Sequence, residues 1–481
     1  MNNDAPQASH SGMHLIDGAW VASLGTKTIE VIDPRTERAV GTVPAGTDAD
    51  VDRAVVAARG AFGSYRMSSV EDRLALLDAV IDEYRRRSDD LVDAVVTEIG
   101  APRAFAAAAQ VPAGLGHLVV ARKTLPSFEF EHTERTTVIS RDPIGVCALI
   151  TPWNWPLNQA TSKIGAAIAT GCTMIHKPSE LAPISAVVLA EILTAAGTPP
   201  GVFNLVHGEG HTVGVALAEH PAIDMISITG STGAGADVAL RAAPTIKRVV
   251  QELGGKSANI VLDDADLDDV IARDVISACA NAGQSCAAGT RILVPRSRMR
   301  DAAEIAAAAV ARIRIGDDDD PRSIGPIVSR RQFERVQAYI RAGIEEGADL
   351  VAGGNGRPDG FDEGFWTRPT VFANVTNDMA IARDEIFGPV LALIAYDSID
   401  EAITIANDSP YGLAGYVSST DHERAVAVAR RLHTGMVHVN GAPPDVRAPF
   451  GGVKQSGNGR EWGEAGFDEF LEIKSIFGAV I

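Results

Sequence analysis

Short apolar runs alternate with amphipathic stretches along most of the chain, a pattern typical of an α/β protein. Five apolar runs after residue 143 predict strands at 144–151, 173–177, 202–206, 225–229 and 247–253. The stretches between them predict helices near 157–170, 183–196, 212–219 and 231–242. This repeat of strand and helix predicts a parallel sheet that is covered by helices on both faces.

Two helices are predicted ahead of this unit, between residues 47 and 100. The second is predicted to begin at Ser68-Ser-Val-Glu71, because a Ser and a Glu three residues apart can cap the first turn reciprocally. Gly100 and Pro102 are predicted to end it.

A second α/β series begins near residue 259. Its strands are predicted at 259–262, 291–294, 369–373 and 389–396, and its helices before Cys286 and around 301–313. The two series meet near residues 252–255. Ligands of open α/β sheets bind beyond the carboxyl ends of strands and at domain boundaries, so we expect a cleft at this junction.

The composition is that of a large globular protein, and it excludes some classes of partner. The 481 residues suffice for roughly three domains, and 46% of them are hydrophobic. The 43 Lys and Arg residues against 62 Asp and Glu give a net charge of −19, which opposes binding to nucleic acid or to anionic lipid. The acidic run 317–320 is predicted to be a loop, because it lacks the spaced ligands of a calcium site.

The four cysteines lack the paired spacing of a disulfide framework or a zinc cluster. Cys147, Cys172 and Cys279 lie in apolar runs or on a predicted helix, where we expect them to pack in the core. Residues 1–14 have neither a basic start nor an apolar run, and no stretch of about 18 apolar residues occurs. We therefore expect a cytoplasmic protein without a membrane segment or a metal.

Cys286 and Glu252 supply the candidate chemistry. Cys286 lies in Asn281-Ala-Gly-Gln-Ser-Cys-Ala-Ala-Gly-Thr290, where small neighbours leave a thiol accessible to a substrate. Glu252 lies in Gln251-Glu-Leu-Gly-Gly-Lys-Ser257, and a carboxylate beside the thiol can activate water. Each residue alone has a simpler interpretation, since a lone Cys is usually a small buried side chain and a Glu at a strand end is usually solvated.

Together these two segments resemble the signature blocks of the NAD(P)-dependent aldehyde dehydrogenase superfamily, and the likeness extends over nearly the whole chain. The resemblance implies a Rossmann-like cofactor domain at 1–123 and 143–253, a second α/β catalytic domain at 254–455, and a small β oligomerisation domain at 124–142 and 466–481. It also implies a homodimer or a homotetramer. From the residues alone, the last two segments are predicted only as irregular or strand-like.

The resemblance further implies a site for NAD. Thr229-Gly-Ser-Thr-Gly-Ala-Gly235 joins a predicted strand to a helix, so its backbone N–H groups can face a pyrophosphate, although such turns also occur for steric reasons. Glu180 matches the residue that binds the adenosine ribose, and its charge would repel a 2′-phosphate, so NAD is favoured over NADP. The remaining implied contacts are Ile150, Thr151, Pro152, Trp153, Lys177, Ser179, Gly230, Ser231, Leu253, Glu385 and Phe387.

By the same resemblance, Glu385 holds the nicotinamide ribose and Phe387 packs near the nicotinamide. A Phe-Gly-Pro turn taken alone would indicate simple packing. Cys286 attacks the aldehyde, the Asn154 side chain donates to the oxyanion, and Glu252 activates the water that releases the acid. Lys163 and Glu461 match residues that lie behind this base and support it. The alternative is that each is only a partner in a structural ion pair. The group that activates the Cys286 thiol is not apparent from the sequence.

The substrate tunnel is expected, by position, to be lined by Trp155, Asn158, Gln159, Ser162, Ser285 and Phe450. The loop 441–447 is expected near its mouth. Because several of these residues are small or polar, we expect a wider and less apolar pocket than one for short aliphatic aldehydes, with a substituted or functionalised aldehyde as substrate. Arg447 is a candidate for binding a substrate carboxylate, although an Arg in a Pro-rich loop is more often solvated.

Three other functions compete with oxidation of an aldehyde to its acid. A dehydrogenase that passes the acyl group to coenzyme A has no need of a water-activating Glu252. A Cys-dependent hydrolase would leave Lys177, Glu180 and Glu385 without a role. A catalytically silent relative is disfavoured, because the nucleophile, the base and the oxyanion donor are all present.

Overall fold

The computed structural model describes residues 10–480. Residues 1–9 and residue 481 lie outside the described range. Residues 1–9 are part of the N-terminal segment 1–14, in which no leader was predicted. Within it, the strands β1 to β20 are His14–Ile16, Ala19–Val21, Thr28–Asp33, Arg38–Pro44, Glu131–Glu134, Thr137–Pro143, Val146–Ile150, Thr173–Lys177, Phe203–Leu205, Met225–Thr229, Arg248–Glu252, Ala258–Val261, Arg291–Pro295, Asp349–Ala352, Thr370–Ala373, Val390–Tyr396, Ala414–Ser418, Met436–Val439, Gly457–Asn458 and Leu471–Ile476.

The helices α1 to α16 of the same range are Asp48–Tyr65, Val70–Arg86, Ser88–Ile99, Arg103–Phe105, Val111–Thr124, Pro156–Thr170, Ile184–Ala195, Val215–Glu219, Thr232–Ala242, Leu267–Cys279, Met299–Val310, Arg330–Glu345, Ala380–Arg383, Ile399–Asn407, His422–Ala429 and Gly463–Asp468. Two π-helical segments, Ala106–Gln110 and Gly210–Gly214, precede α5 and α8.

The first predicted series forms an eight-stranded sheet in the order β19-β11-β10-β7-β8-β9-β1-β2. Its five central strands, which are those predicted from the apolar runs, pair in parallel. Every residue of β7, β8 and β10 is buried, as a parallel sheet covered on both faces requires. From β7 the chain continues outward to β8 and β9 and then returns to β10 on the other side of β7, so the strand order reverses between β7 and β10.

The second series forms a seven-stranded sheet in the order β14-β15-β16-β13-β12-β17-β18. All its pairs are parallel except that of β14 with β15. A third sheet, β20-β6-β5, joins the two segments that were predicted only as irregular or strand-like. The parallel α/β class predicted from the sequence is present in both large sheets.

Three helices, rather than the predicted two, occupy the region before residue 100. The backbone at Arg87 (φ −104°, ψ 19°) separates α2 from α3 without a Gly or Pro that could have indicated the break. The predicted cap is also wrong by one residue. Ser69 Oγ accepts from the Asp72 N–H at 3.1 Å, and the Ser69 N–H donates to Asp72 at 3.0 Å, because adjacent serines and adjacent acids offer the same spacing twice.

The stretch Arg103–Ser127, which includes α5, is long and apolar enough to cross a membrane by length and composition. In the structure 44% of its most apolar window is buried within the protein, and α5 packs against α2 and α6. A core helix of a globular protein passes the same test, so the stretch is weak evidence for a membrane span.

Candidate active site

The nucleophile loop follows α10 and begins with an uncommon backbone conformation. Asn281 and Ala282 both have a positive φ, 53° and 54°, and residues other than Gly seldom adopt this backbone conformation. Buried amides support this turn. Gln284 accepts from the Val328 N–H at 2.9 Å and donates through Nε2 to the Asn281 carbonyl at 3.0 Å. The loop that carries Cys286 is therefore fixed by hydrogen bonds within the second unit.

Asn154 lies between β7 and α6 and is 3% exposed. Its Nδ2 donates to the Gln284 carbonyl at 3.0 Å, which places the amide beside the Cys286 loop. A primary amide has a second N–H to donate. The backbone N–H groups of Cys286 and Ala287 oppose the overall rise in the pKa of the Cys286 thiol that burial causes, so they lie close to the sulfur. These donors suit an oxyanion that forms next to Cys286.

The surroundings of Cys286 disfavour the thiolate form of its side chain. The residue keeps some exposed surface, yet burial of its side chain, followed by the negative charges of Glu385 and Glu252, raises the pKa to about 12. The influence of both carboxylates shows that the structure brings the predicted base and the predicted ribose ligand close to the sulfur. A thiolate therefore requires a proton acceptor or a change in these surroundings.

Glu252 ends β11 and is 2% exposed, and neither of its carboxylate oxygens has a hydrogen-bond partner among the described residues. Burial, and then the negative charge of Glu461, raises its pKa well above the usual value, while Lys163 and Arg460 act in the opposite direction. A Cβ at Gly451 would lie 2.5 Å from Glu252 Oε1, so glycine leaves room for the carboxyl group. A buried carboxyl group with a raised pKa is suited to accept a proton near neutral pH.

Lys163 and Glu461 form a buried ion pair next to this base. Lys163 Nζ also donates to Thr229 Oγ1 at 2.7 Å. Glu461 accepts from the hydroxyls of Ser162 at 3.2 Å and Ser227 at 3.4 Å. Lys163 and Glu461 are a structural ion pair and also support the base, because their charges act on the pKa of Glu252.

The predicted cofactor residues of the first unit lie where its strand order reverses. β7 ends at Ile150 and is followed by Thr151, Pro152 and Trp153, while the adjacent β10 is followed by Gly230 and Ser231. Ser231 Oγ accepts from the Ala234 N–H at 3.2 Å and begins the 11-residue helix α9. Such a reversal with a helix N-terminus is the usual position for a pyrophosphate in an open α/β sheet.

Lys177, Ser179 and Glu180 follow β8. Lys177 is buried, and its Nζ lies 3.6 Å from the Glu180 carboxylate. Glu180 is partly exposed and faces a cavity of about 340 Å³. Both units line this cavity, the first through Glu180 and Leu181 and the second through 328–331 and Phe365. This cavity lies between the two units, but none of residues 252–255, where the cleft was expected, lines it.

Glu385 belongs to the second unit and contacts residues 254–255, where the two units join. Its Oε1 accepts from the Gly255 N–H at 3.0 Å, and a Cβ at Gly254 would overlap its carboxylate. Burial raises the pKa of Glu385 to about 7, although the Gly255 N–H and two cationic side chains oppose this shift. Donors from ribose hydroxyls would complete its hydrogen bonding. Phe387, at φ 62°, packs edge-on against Trp153 with ring centroids 5.3 Å apart.

The predicted tunnel residues have several protein partners. Trp155 Nε1 donates to Ser285 Oγ at 2.9 Å, and Phe450 packs against Trp462 at 4.4 Å between centroids. Asn158 is half-buried and Gln159 is buried, both on α6. Ser162 is bound to Glu461, in the ion-pair network described above. Arg447 is 77% exposed and pairs with Asp445 at 2.8 Å, so the structure favours the solvated interpretation over a role in substrate binding.

Sequence reasoning missed several residues of this site. Arg335 donates to the Glu385 carbonyl at 2.7 Å, and Gln110 donates to the Asn154 carbonyl at 3.0 Å. The side chains of Asn281 and Gln284 also belong to this site, and the signal for them in the sequence is their position five and two residues before Cys286. Nothing in the sequence indicates Arg335 or Gln110.

A model of the aldehyde dehydrogenase family matches residues 20–476. A 3-succinoylsemialdehyde-pyridine dehydrogenase from a Pseudomonas species is 52% identical over 96% of this chain and 98% of its own length. A putative aldehyde dehydrogenase from Staphylococcus aureus is 48% identical, over 96% and 98%.

Among solved structures, a variant of aldehyde dehydrogenase C from Pseudomonas syringae in complex with NAD+ and octanal has a TM-score of 0.97 and 52% identity, covering 98% of this chain and 97% of that one. The aldehyde dehydrogenase of Mycobacterium tuberculosis in complex with NAD+ has a TM-score of 0.94 and 41% identity, covering 97% and 98%. These findings confirm the predicted fold class and enzyme class. The chain belongs to the aldehyde dehydrogenase family.

Proposed function

We propose that this aldehyde dehydrogenase uses NAD to oxidise an aldehyde to the free carboxylic acid, through a thiohemiacetal and then a thioester on Cys286. One observation carries this proposal: Cys286 lies beside Glu252, a buried carboxyl group that has a raised pKa and no hydrogen-bond partner among the described residues. A group of this kind suits activation of water, which acyl transfer to coenzyme A would not need.

In the first step, the Cys286 sulfur bonds to the aldehyde carbon, and the thiol proton must pass to an acceptor as the thiohemiacetal oxyanion forms. The Asn154 amide and the Cys286 backbone N–H donate to that oxyanion. NAD supplies the hydride acceptor. Loss of hydride leaves a thioester on Cys286. Glu252 then takes a proton from water as the oxygen bonds to the acyl carbon, and the carbon–sulfur bond breaks to release the acid.

The roles proposed for the cofactor residues follow from their positions. The α9 N-terminus with Gly230 and Ser231 would hold the pyrophosphate, and Glu180 the adenosine ribose. Glu385 would hold the nicotinamide ribose. The anionic Glu180 supports a preference for NAD over NADP. The Pseudomonas syringae and Mycobacterium tuberculosis relatives were solved with NAD+, in agreement with this proposal.

For the substrate, we propose a substituted or functionalised aldehyde. Trp155, Asn158 and Gln159 combine an aromatic ring with two polar side chains, which suits such a molecule better than acetaldehyde. One relative is named for a pyridine semialdehyde, and another was solved with octanal. A panel of aliphatic, aromatic and semialdehyde substrates tests this proposal, and the highest kcat/KM on acetaldehyde would contradict it.

We propose the domain boundaries given in the sequence analysis, with the three-stranded sheet mediating a homodimer or a homotetramer. The support is an apolar surface on β20 and just after it, where Ile473 is 74% and Phe477 83% exposed. Light scattering on the purified protein measures the assembly, and a monomer would contradict the proposal. The four free cysteines support the expected cytoplasmic location, which cell fractionation tests.

The most informative experiment follows NADH absorbance with an aldehyde and identifies the product. We expect NADH and free acid in equal amounts without coenzyme A, and no NADH from the Cys286→Ala variant. A requirement for coenzyme A, with a thioester as product, would instead establish an acylating dehydrogenase.

A further inference from the structure

Four buried amide side chains meet behind the nucleophile loop: those of Gln110, Asn154, Asn281 and Gln284. None is more than 6% exposed. Gln110 Nε2 donates to the Asn154 carbonyl at 3.0 Å, and Asn281 Nδ2 donates to the same carbonyl at 2.9 Å. The Asn154 side chain donates in turn to the Gln284 carbonyl. The residue proposed as oxyanion donor is therefore held on its backbone by two side chains from distant parts of the chain.

Gln110 occupies this place at the end of a π-helical segment. Ala106–Gln110 lies between α4 and α5, and the Val111 N–H donates to the Ala106 carbonyl, five residues back. One additional residue in a turn rotates the following side chains by about 100° relative to the preceding helix. Segments of this kind are frequent at functional sites. The local distortion accompanies a completely buried Gln110 that faces the active-site loop.

The Gln110 side chain also has an unfavourable feature. Its Oε1 is buried and has no hydrogen-bond partner within residues 10–480, which lowers the free energy of unfolding relative to a satisfied group. The contribution of this amide is therefore its Nε2 group, which donates to the Asn154 carbonyl and, at 3.4 Å, to Asn281 Oδ1.

We propose that Gln110 is a positioning residue for the oxidation, acting through Asn154. By fixing the Asn154 backbone, it sets the distance from the Asn154 side-chain amide to the oxyanion that forms at Cys286. Oxyanion donors act only within a narrow range of distance, and a displacement of about 1 Å can reduce the rate on the order of 10²-fold. The inference rests on the oxyanion role proposed for Asn154.

The test replaces Gln110 by Leu, which removes the donors but keeps the bulk. We expect kcat to fall roughly 10- to 100-fold, with KM for NAD unchanged within about twofold. Alkylation of Cys286 by iodoacetamide forms no oxyanion, and Gln284 still anchors the loop to Val328. The rate of alkylation in the Gln110→Leu variant should therefore stay within about twofold of the wild-type rate.

Gln337→Leu is the matched control. Gln337 is also buried and has two hydrogen bonds, to Thr367 at 2.7 Å and from the Gly356 N–H at 2.6 Å, but it lies on α12 away from Asn154. We expect this variant to lower the melting temperature and to leave kcat unchanged. An equal loss of kcat in both variants would show that loss of any buried amide suffices, and would overturn the proposal.

A double-mutant cycle with Asn154→Ala separates the possible failures. If Gln110 acts through Asn154, Gln110→Leu should reduce kcat by less than about twofold further once the Asn154 amide is absent. Losses that multiply, or alkylation that slows in parallel with turnover, would overturn the role of Gln110. Full activity of Asn154→Ala alone would instead reject the oxyanion role of Asn154. Gln110→Met serves the same cycle if the Leu variant does not fold.

Discussion

Two buried carboxyl groups of the active site, those of Glu252 and Glu461, differ sharply in their surroundings. Glu461 is paired with Lys163 and accepts from Ser162 and Ser227. Glu252 has no hydrogen-bond partner among the described residues. The two side chains are almost equally buried, since Glu461 is 6% exposed and Glu252 is 2% exposed. They differ in their hydrogen-bond partners rather than in their burial. The partners of Glu461 hold its carboxylate in place, whereas Glu252 shows no such bonds within residues 10–480 and has a pKa raised by burial.

The two groups are also coupled. The negative charge of Glu461 raises the pKa of Glu252, and the positive charge of Lys163 lowers it. The ion pair therefore acts on Glu252 through its charges, and the described part of the chain shows no hydrogen bond between them. In this account, Glu252 performs the proton transfer, and Lys163 with Glu461 sets the pH at which it is able to do so.

Replacing Glu252 by Gln should have the largest effect. The change keeps the size of the side chain but removes the base, so we expect steady-state turnover to fall roughly 10²- to 10⁴-fold. The first NADH per active site should still form at a normal rate, because hydride transfer precedes the step that needs Glu252. Stopped-flow absorbance measures both quantities, and full steady-state turnover would reject the assignment of the base.

Changing the ion pair should shift the pH dependence in opposite directions. Glu461→Gln removes a negative charge that raises the pKa of Glu252, so the acid limb of kcat should move to lower pH. Lys163→Met removes a positive charge that lowers this pKa, so the limb should move to higher pH. Each variant leaves one buried charge unpaired, at a cost of about 3–5 kcal/mol in the free energy of unfolding.

The pH profiles of kcat are therefore measured at a temperature where circular dichroism shows both variants to be folded. Shifts in the same direction, or none, would contradict the electrostatic coupling of the pair to Glu252.

Glu385 should give the smallest effect, confined to cofactor binding. Its pKa of about 7 means that it is protonated at lower pH and loses its capacity to accept two ribose hydroxyls as an anion. We expect KM for NAD to rise as the pH falls below about 7, by at most about tenfold for each pH unit. In Glu385→Gln the KM should be higher and nearly independent of pH over this range. A wild-type KM for NAD that is constant from pH 8 to about 6 would contradict this role.

Much of the fold was predictable because buried parallel strands require continuous apolar runs. The strands 173–177 and 225–229 agree with the structure at both ends. The positions of Cys286, Glu252 and Asn154 could be predicted from motifs, and the structure brings all three together. The pKa of Cys286 could not, because it depends on burial and on carboxylates that are distant in the sequence.

Gln110 shows a different limit. Helical periodicity assumes 3.6 residues per turn, and the π-helical segment Ala106–Gln110 changes the face on which later residues lie. Helical periodicity therefore does not identify Gln110 as the residue that contacts Asn154. Similarly, Arg447 has the charge expected of a carboxylate ligand, and only the structure shows that Asp445, two residues before it, already pairs with that charge.

The acyl-enzyme provides the most direct test of the division of roles between Cys286 and Glu252. The Glu252→Gln protein is mixed with NAD and an aldehyde and analysed by intact-protein mass spectrometry with peptide mapping. We predict a stable increase in mass, equal to the aldehyde less two hydrogen atoms, located on Cys286. An unmodified Cys286 in a variant that continues to release acid would contradict the account.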